Sequence, residues 1–267
     1  MRNVNNQFSG VPIIILSGGK GILLNEKQAS RLNKGLVRVL NKPLFIWVIY
    51  HYVLHGAREF LIAAGMQIES FATELNSLGA LQDRSESGCF NITIAGIACT
   101  VRIINTPVNA STLDRINCCK EMIEEREIFA VTYSDTLSDV DLSSELSFHK
   151  NHHLTATLVS AKFPVRFRIL GVRAGEAIVR GFASRPVIES SNINGGYYIF
   201  SKKIWALLKN SGPLEIGILE NLAFLGELAA FEHNGRWQNC DAERDLNELT
   251  AIAQLLQEKL TQAQLLI

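Results

Sequence analysis

Short, unbroken apolar runs alternate along this chain with longer segments whose apolar positions recur at helical spacing. Residues 11–16 predict a strand buried on both faces, 43–55 a helix, 59–64 a second strand and 68–78 a second helix. Apolar and β-branched residues over 91–104, on either side of Gly96, predict an extended pair. The pattern then predicts a helix over 112–123, a strand over 128–132 ending at Tyr133-Ser134-Asp135, a helix over 142–150, and strands over 155–161, 169–172 and 197–200. Asn194-Gly195-Gly196 has the composition of a turn leading into the last of these. Residues 242–263, rich in Leu, Glu and Gln, predict a long terminal helix, and 82–88 reads as a loop within a domain. Strands alternating with helices imply an α/β fold with a mixed, mostly parallel central sheet flanked by helices.

A length of 267 residues with 47% hydrophobic side chains is enough for one large core, so a single domain over 1–267 is expected. Twenty-six basic side chains balance 26 acidic ones, which argues against a nucleic acid or a membrane surface as partner and for a small molecule. Cys89, Cys99, Cys118, Cys119 and Cys240 form an odd set without CxxC spacing, the pattern of reduced thiols in a cytoplasmic protein. Residues 1–10 lack the basic-then-apolar order of a signal peptide, and no apolar stretch approaches the ~20 residues of a membrane span.

The chemistry gathers at strand ends. The run Ile13-Ile14-Ile15-Leu16 breaks into Ser17-Gly18-Gly19-Lys20-Gly21, where glycines permit backbone N–H groups to turn toward an anion and Lys20 adds a cation. Taken alone, such a cluster is equally a tight turn after a core strand. Asp135 follows another strand, and alone it reads as a helix cap or turn residue. Ligands in open α/β sheets sit at the carboxyl ends of the strands, so loop and carboxylate in one crevice point to a metal-bridged nucleotide. His152 and His153 read as a solvated helix end, Trp237 as a core or pocket wall, and Cys240 as a thiol without a base.

From about residue 13 to 245 these segments resemble, in order, the sugar-phosphate nucleotidylyltransferases, and their cytidylyl branch in particular. Residues 15–21 resemble the family's A-G-G-x-G loop, Asn33-Lys34-Gly35 its Pro-Lys-Pro, Tyr133-Ser134-Asp135 its Tyr-Gly-Asp, and Cys240-Asp241-Ala242 its Met-Asp-Thr. The stretches His55-Gly56-Ala57-Arg58-Glu59-Phe60, Phe148-His149-Lys150 and Gly226-Glu227-Leu228 through Phe231-Glu232-His233 carry the cytidylyl likeness. The resemblance implies a Rossmann-like nucleotidyltransferase fold, with a nucleotide half over about 10–150, a β-rich sugar-phosphate half over about 151–245 and a terminal helix over 242–267.

It also implies roles. Asp135 and Asp241 are the expected ligands of Mg²⁺, and Lys34 the expected phosphate contact. Leu16, Gly18, Gly19, Lys20 and Gly21, with Thr112 and Arg115 at the ends of a Thr-Gly-Gly-Arg-like segment, are expected on the nucleotide side. Asn194, Gly195 and Glu215 are expected on the sugar-phosphate side, with Arg185 replacing a lysine that serves the sugar phosphate. The implied substrates are a nucleoside triphosphate, CTP in this branch, and a sugar 1-phosphate, glucose 1-phosphate; assembly into a homo-oligomer is implied as well.

The departures fall in the site. Leu23 stands where the family has a phosphate-clamping arginine, with Lys20 and Arg31 the nearby cations. Leu113 and Asp114 replace two glycines and are expected to crowd a base; Ser184-Arg185-Pro186 replaces Glu-Lys-Pro, and Gly217 a glutamate. Two readings therefore stand: an active nucleotidylyltransferase, and a catalytically impaired relative that binds sugar phosphate or nucleotide as a regulatory or oligomer subunit.

Overall fold

The structure, a computed structural model, describes residues 6–18, 21, 32–162, 169–170, 182–183, 192–208 and 211–265. The elements run β1 (Ile13–Ser17), a 3-10 turn (Lys34–Leu36), β2 (Arg38–Val39), β3 (Lys42–Pro43), α1 (Leu44–Leu54), β4 (Glu59–Ala64), α2 (Ile68–Ser77), β5 (Leu81–Gln82), β6 (Cys89–Ile94) and β7 (Ile97–Asn105). They continue with α3 (Thr112–Cys118), α4 (Lys120–Ile123), β8 (Ile128–Tyr133), β9 (Thr136–Ser138), α5 (Leu142–His152), β10 (Ala156–Lys162), β11 (Ile169–Leu170), β12 (Phe182–Ala183) and β13 (Asn192–Ser201). A kinked π-helical turn (Leu214–Leu219), α6 (Glu220–Phe224), β14 (Leu228–His233), β15 (Trp237–Asn239) and α7 (Leu246–Gln264) complete the chain.

The α/β expectation holds. One nine-stranded sheet has the order β14-β10-β13-β8-β1-β4-β7-β6-β5. Its middle, β8-β1-β4-β7, is parallel, and only β13 and β6 run against the rest. The pleat explains why β1 is apolar at every position. Ile13 and Ile15 enter one core with α1, α2 and α7, whereas Ile14 and Leu16 enter another with α3, Tyr198 and Leu214. Helix α1 is buried almost all round, from Leu44 through Val53, because it lies between the sheet and α7.

Two expectations fail. The helix over 112–123 is broken at Cys119 into α3 and α4. Asn194-Gly195-Gly196 is no turn but lies inside β13, where the register against β10 slips between Leu158 and Ser160. The glycines are used for that bulge: Gly196 sits at φ +73°, and a Cβ on Gly195 would lie 2.9 Å from the Val159 carbonyl oxygen.

From β1 the chain steps outward to β4 and β7 and then returns to the other side of β1 as β8. The gap between the ends of β1 and β8 is thus a topological switch point, where a crevice opens outside the carboxyl ends of the strands. Among the described residues no helix is long and apolar enough to cross a membrane.

Candidate active site

Lys34, Asp135 and Asp241 meet at this switch point. Asp135 follows β8, and Asp241 follows β15, whose ladder with β9 pairs Asn239 with Thr136. One further backbone bond, from the Cys240 N–H to the Asp135 carbonyl at 2.9 Å, carries the ladder to the aspartates and sets them side by side. Asp245 then accepts from the N–H groups of Asp241 and Ala242 at 2.9 and 2.8 Å, closing the turn into α7.

The Lys34 ammonium lies 2.7 Å from Asp241 Oδ1 and 3.5 Å from Asp135 Oδ2. Asp241 Oδ2 accepts from Asn239 Nδ2 at 2.6 Å. Burial alone would pull the Lys34 pKa down, but the hydrogen bond to Asp241 and the charges of both carboxylates outweigh it and raise it above the ordinary lysine value. Asp135 is pushed upward by burial and, to a lesser extent, by Asp241, with Lys34 opposing. A desolvated carboxylate of this kind is stable in its charged form only beside a cation. The donor set, two hard carboxylate oxygens facing one positive centre, fits Mg²⁺. Among the described residues no group of three or more His, Cys, Asp or Glu converges on a metal position.

A second group lies on the β13 side. Asn194 Nδ2 donates to the Tyr198 hydroxyl at 2.7 Å, and its Oδ1 accepts from the Gly196 N–H at 3.1 Å. Glu215 Oε1 accepts from Tyr133 at 2.5 Å and from Tyr198 at 3.4 Å, and Trp237 Nε1 donates to the Gly195 carbonyl at 2.7 Å. Both phenols are held neutral, Tyr133 first by burial and then by Tyr198 and Glu215, and Tyr198 first by burial and then by Glu215. Sequence reasoning missed Tyr198. The bulge between Asn194 and Tyr198 hides their relation from a strand alternation read along the chain.

Of the residues expected on the nucleotide side, Leu16 is buried in β1 and Gly18 follows the strand. The Arg115 guanidinium lies directly on Gly18, where a Cβ would overlap it, and donates to Thr106 Oγ1 and to the Val108 carbonyl at 3.0 Å. Burial lowers its pKa. Thr112 Oγ1 accepts from the Leu214 N–H at 2.6 Å. Leu113 packs in the core near Leu214, and the Asp114 carboxylate is engaged by Ser111, in a capping box, and by Ser211 at 2.8 Å. Gly21 adopts φ +66°; Gly19, Lys20, Leu23, Arg31 and Ser184-Arg185-Pro186 lie outside the described residues.

Other readings resolve simply. His152, half-buried at the end of α5, is bonded to Thr157 Oγ1 at 2.7 Å, and His153 behind it is exposed. Cys240 is fully buried and its thiol is pushed up to about 12 by burial and then by Asp135, which leaves it inert.

A switch-point crevice with paired aspartates, a lysine and a polar aromatic wall defines a phosphoryl-transfer class of site, and comparison with known proteins agrees. The nucleotidyl transferase family model matches residues 13–237, and the chain belongs to that family. It is 31% identical over 238 residues to the glucose-1-phosphate cytidylyltransferase of Salmonella typhimurium, covering 87% of this chain and 91% of that one. It is 26% identical over 255 residues to the mannose-1-phosphate guanylyltransferase catalytic subunit beta of Danio rerio, covering 94% and 66%. The fold matches the crystal structure of HddC from Yersinia pseudotuberculosis complexed with GMP-PN, with a TM-score of 0.64, 16% identity and coverage of 90% and 98%.

Proposed function

We propose that this chain is a Mg²⁺-dependent nucleotidylyltransferase that joins CTP to glucose 1-phosphate and releases pyrophosphate. The observation that carries this reading is the meeting of Asp135 and Asp241 at the Lys34 ammonium. Likeness to a glucose-1-phosphate cytidylyltransferase over most of the chain supports the choice of base and sugar.

The reaction asks for position and charge rather than a protein nucleophile. A phosphate oxygen of the sugar substrate forms a bond to the α-phosphorus as the bond to pyrophosphate breaks, and pyrophosphate leaves with the electron pair. Asp135 and Asp241 would hold the Mg²⁺, which when bound neutralises charge building on the phosphoryl oxygens. Lys34 exchanges its carboxylate partners for the triphosphate. Gly18, Gly19, Lys20 and Gly21, with Leu16, Thr112 and Arg115, form the nucleotide side. Asn194, Gly195 and Glu215 orient the sugar phosphate, and Arg185 supplies its countercharge. In-line orientation of two bound substrates is where most of the rate originates.

One observation favours a second reading, an impaired relative serving as a binding subunit. Leu23 carries no charge where a bidentate arginine is expected, and such a contact is worth ~3 kcal/mol at the transition state, roughly a hundredfold in rate. Pyrophosphate release from CTP plus glucose 1-phosphate, dependent on Mg²⁺ and abolished by Asp135→Ala, is the expected result. No turnover with any common nucleoside triphosphate and any hexose 1-phosphate would leave the second reading alone, and a thermal shift with sugar phosphate would then test for binding.

A further inference from the structure

Three buried polar side chains, each one residue ahead of a member of the candidate site, are bonded to one another beneath it. Ser17 ends β1 and precedes Gly18; Asn33 precedes Lys34; Ser134 follows β8 and precedes Asp135. All three are at most 4% exposed. Ser17 Oγ donates to Asn33 Oδ1 at 3.0 Å, and Ser134 Oγ lies 2.8 Å from Ser17 Oγ. A hydroxyl has one proton to give, so Ser134 donates to Ser17 and Ser17 to Asn33.

Asn33 ties the chain down on every side. Its Oδ1 also accepts from the Gly35 N–H at 3.0 Å, capping the 3-10 turn that begins at Lys34. Its Nδ2 donates to the Ser17 carbonyl at 2.9 Å and to the Met66 carbonyl at 3.4 Å, and its own N–H donates to Gln67 Oε1 at 2.7 Å. Gly35 makes the arrangement possible: a Cβ there would lie 2.6 Å from Ser134 Oγ and 2.8 Å from Ser17 Oγ. The Lys34 backbone is thereby fixed against the backbones of Gly18 and Asp135 without any contribution from the ion pair above.

We propose that Ser17, Asn33 and Ser134 form a positioning unit that places the Lys34 ammonium against Asp135 and Asp241. The physical need is plain. A lysine side chain retains considerable rotamer freedom, and only a fixed stem confines its head to one place. Three mutually satisfied hydroxyl and amide groups in a low-dielectric site are stiffer than the separate bonds. What Lys34 then does rests on the function proposed above, but its placement is measurable without turnover.

The test is competitive labelling of the folded, full-length protein with trace acetic anhydride near pH 8, read by mass spectrometry as Lys34 acetylation relative to exposed Lys203 in the same sample. In the wild type Lys34 is expected to be protected by its two carboxylate partners. Asn33→Ala is expected to raise its relative labelling about fivefold or more as the amine leaves the carboxylates, and Ser134→Ala about threefold. Ile92→Ala, a core truncation in β6, three strands away from β1 in the sheet, controls for lost stability alone and is expected to leave the ratio unchanged. Should Asn33→Ala not fold, Ser134→Ala decides, since it deletes one hydroxyl and leaves the Ser17–Asn33 bond. Ratios in Asn33→Ala and Ser134→Ala equal to those of wild type and Ile92→Ala would overturn the proposal. If pyrophosphate release is observed, the same variants lower kcat with each KM moving less than about twofold; absence of turnover in every protein bears on the function, and the labelling ratios still decide the positioning role.

Discussion

Lys34 Nζ lies 2.7 Å from Asp241 Oδ1, although 207 positions separate the two residues. The ammonium therefore stands where a divalent cation serving both aspartates would also be drawn. Removing it leaves two close carboxylates with less compensating charge. Lys34→Met is expected to tighten binding of Mn²⁺ alone, without nucleotide, by about tenfold, a value reduced from the bare Coulomb figure because the site is partly solvated. Electron paramagnetic resonance of free Mn²⁺ measures this directly. The same variant is expected to lose about a hundredfold or more in kcat/KM, because its charge is missing at the transition state. Unchanged Mn²⁺ affinity would mean that lysine and metal do not compete.

Glu215 accepts from two phenols that cannot ionise in their surroundings, so its carboxylate is a fixed negative wall beside Asn194. Glu215→Gln keeps the shape and removes the charged acceptor, at about 1.5–3 kcal/mol for a hydrogen bond to a charged group. We expect KM for the sugar 1-phosphate to rise about tenfold while KM for the triphosphate stays within about twofold. Steady-state kinetics with each substrate varied in turn separates the two. Equal effects on both would place Glu215 elsewhere than on the sugar side.

Strand-to-loop transitions were legible because β1, β4 and β8 are buried on both faces, which forces continuous apolar runs that no surface segment imitates. Asn194-Gly195-Gly196 was misread because the same freedom serves a turn and a bulge, and only the partner strand decides between them. Cys119 ends α3 in a segment whose periodicity gives no hint of a break. Asp135 and Asp241 were legible through family likeness alone, since nothing in a spacing of this length predicts that β9 and β15 pair. The Ser17–Asn33–Ser134 unit was illegible for the same reason: each residue reads locally as a small polar replacement, and their relation exists only in three dimensions.

Gly18 is fixed by Arg115. An added methyl group would occupy the position of the guanidinium, which would have to give up Thr106 and the Val108 carbonyl within a buried site. Gly18→Ala is expected to cost about 1–3 kcal/mol, the range for stranding buried donors. Arg115→Ala also destabilises, by removing the same bonds and the packed stem. Since both changes disrupt one contact, the double variant should cost at least about 1 kcal/mol less than the sum of the singles in urea unfolding. Strict additivity would show that the arginine does not rest on the loop glycine in solution.

Acid–base behaviour of stability follows from four buried groups. Burial raises Glu145 from an ordinary 4.5 to about 8, and its Oε1 has no hydrogen-bond partner among the described residues. The folded protein therefore keeps the proton that the unfolded chain releases above 4.5. Stability falls as pH rises from about 4.5 to about 8, by at most about 1.4 kcal/mol per unit. Burial lowers His51 to about 3, and His55 and His149 to about 4, so these stay neutral when the unfolded chain takes up protons. Their contribution is whole above 6.5 and is lost as pH falls toward 3 to 4. Three histidines outweigh one glutamate between 4.5 and 6.5, and of these four groups only Glu145 acts above 6.5. The urea midpoint should thus peak near pH 6.5 and decline toward 8, and Glu145→Gln should abolish that alkaline decline while leaving the acid limb in place. A decline from 6.5 to 8 that persists undiminished in Glu145→Gln would assign it to some other group.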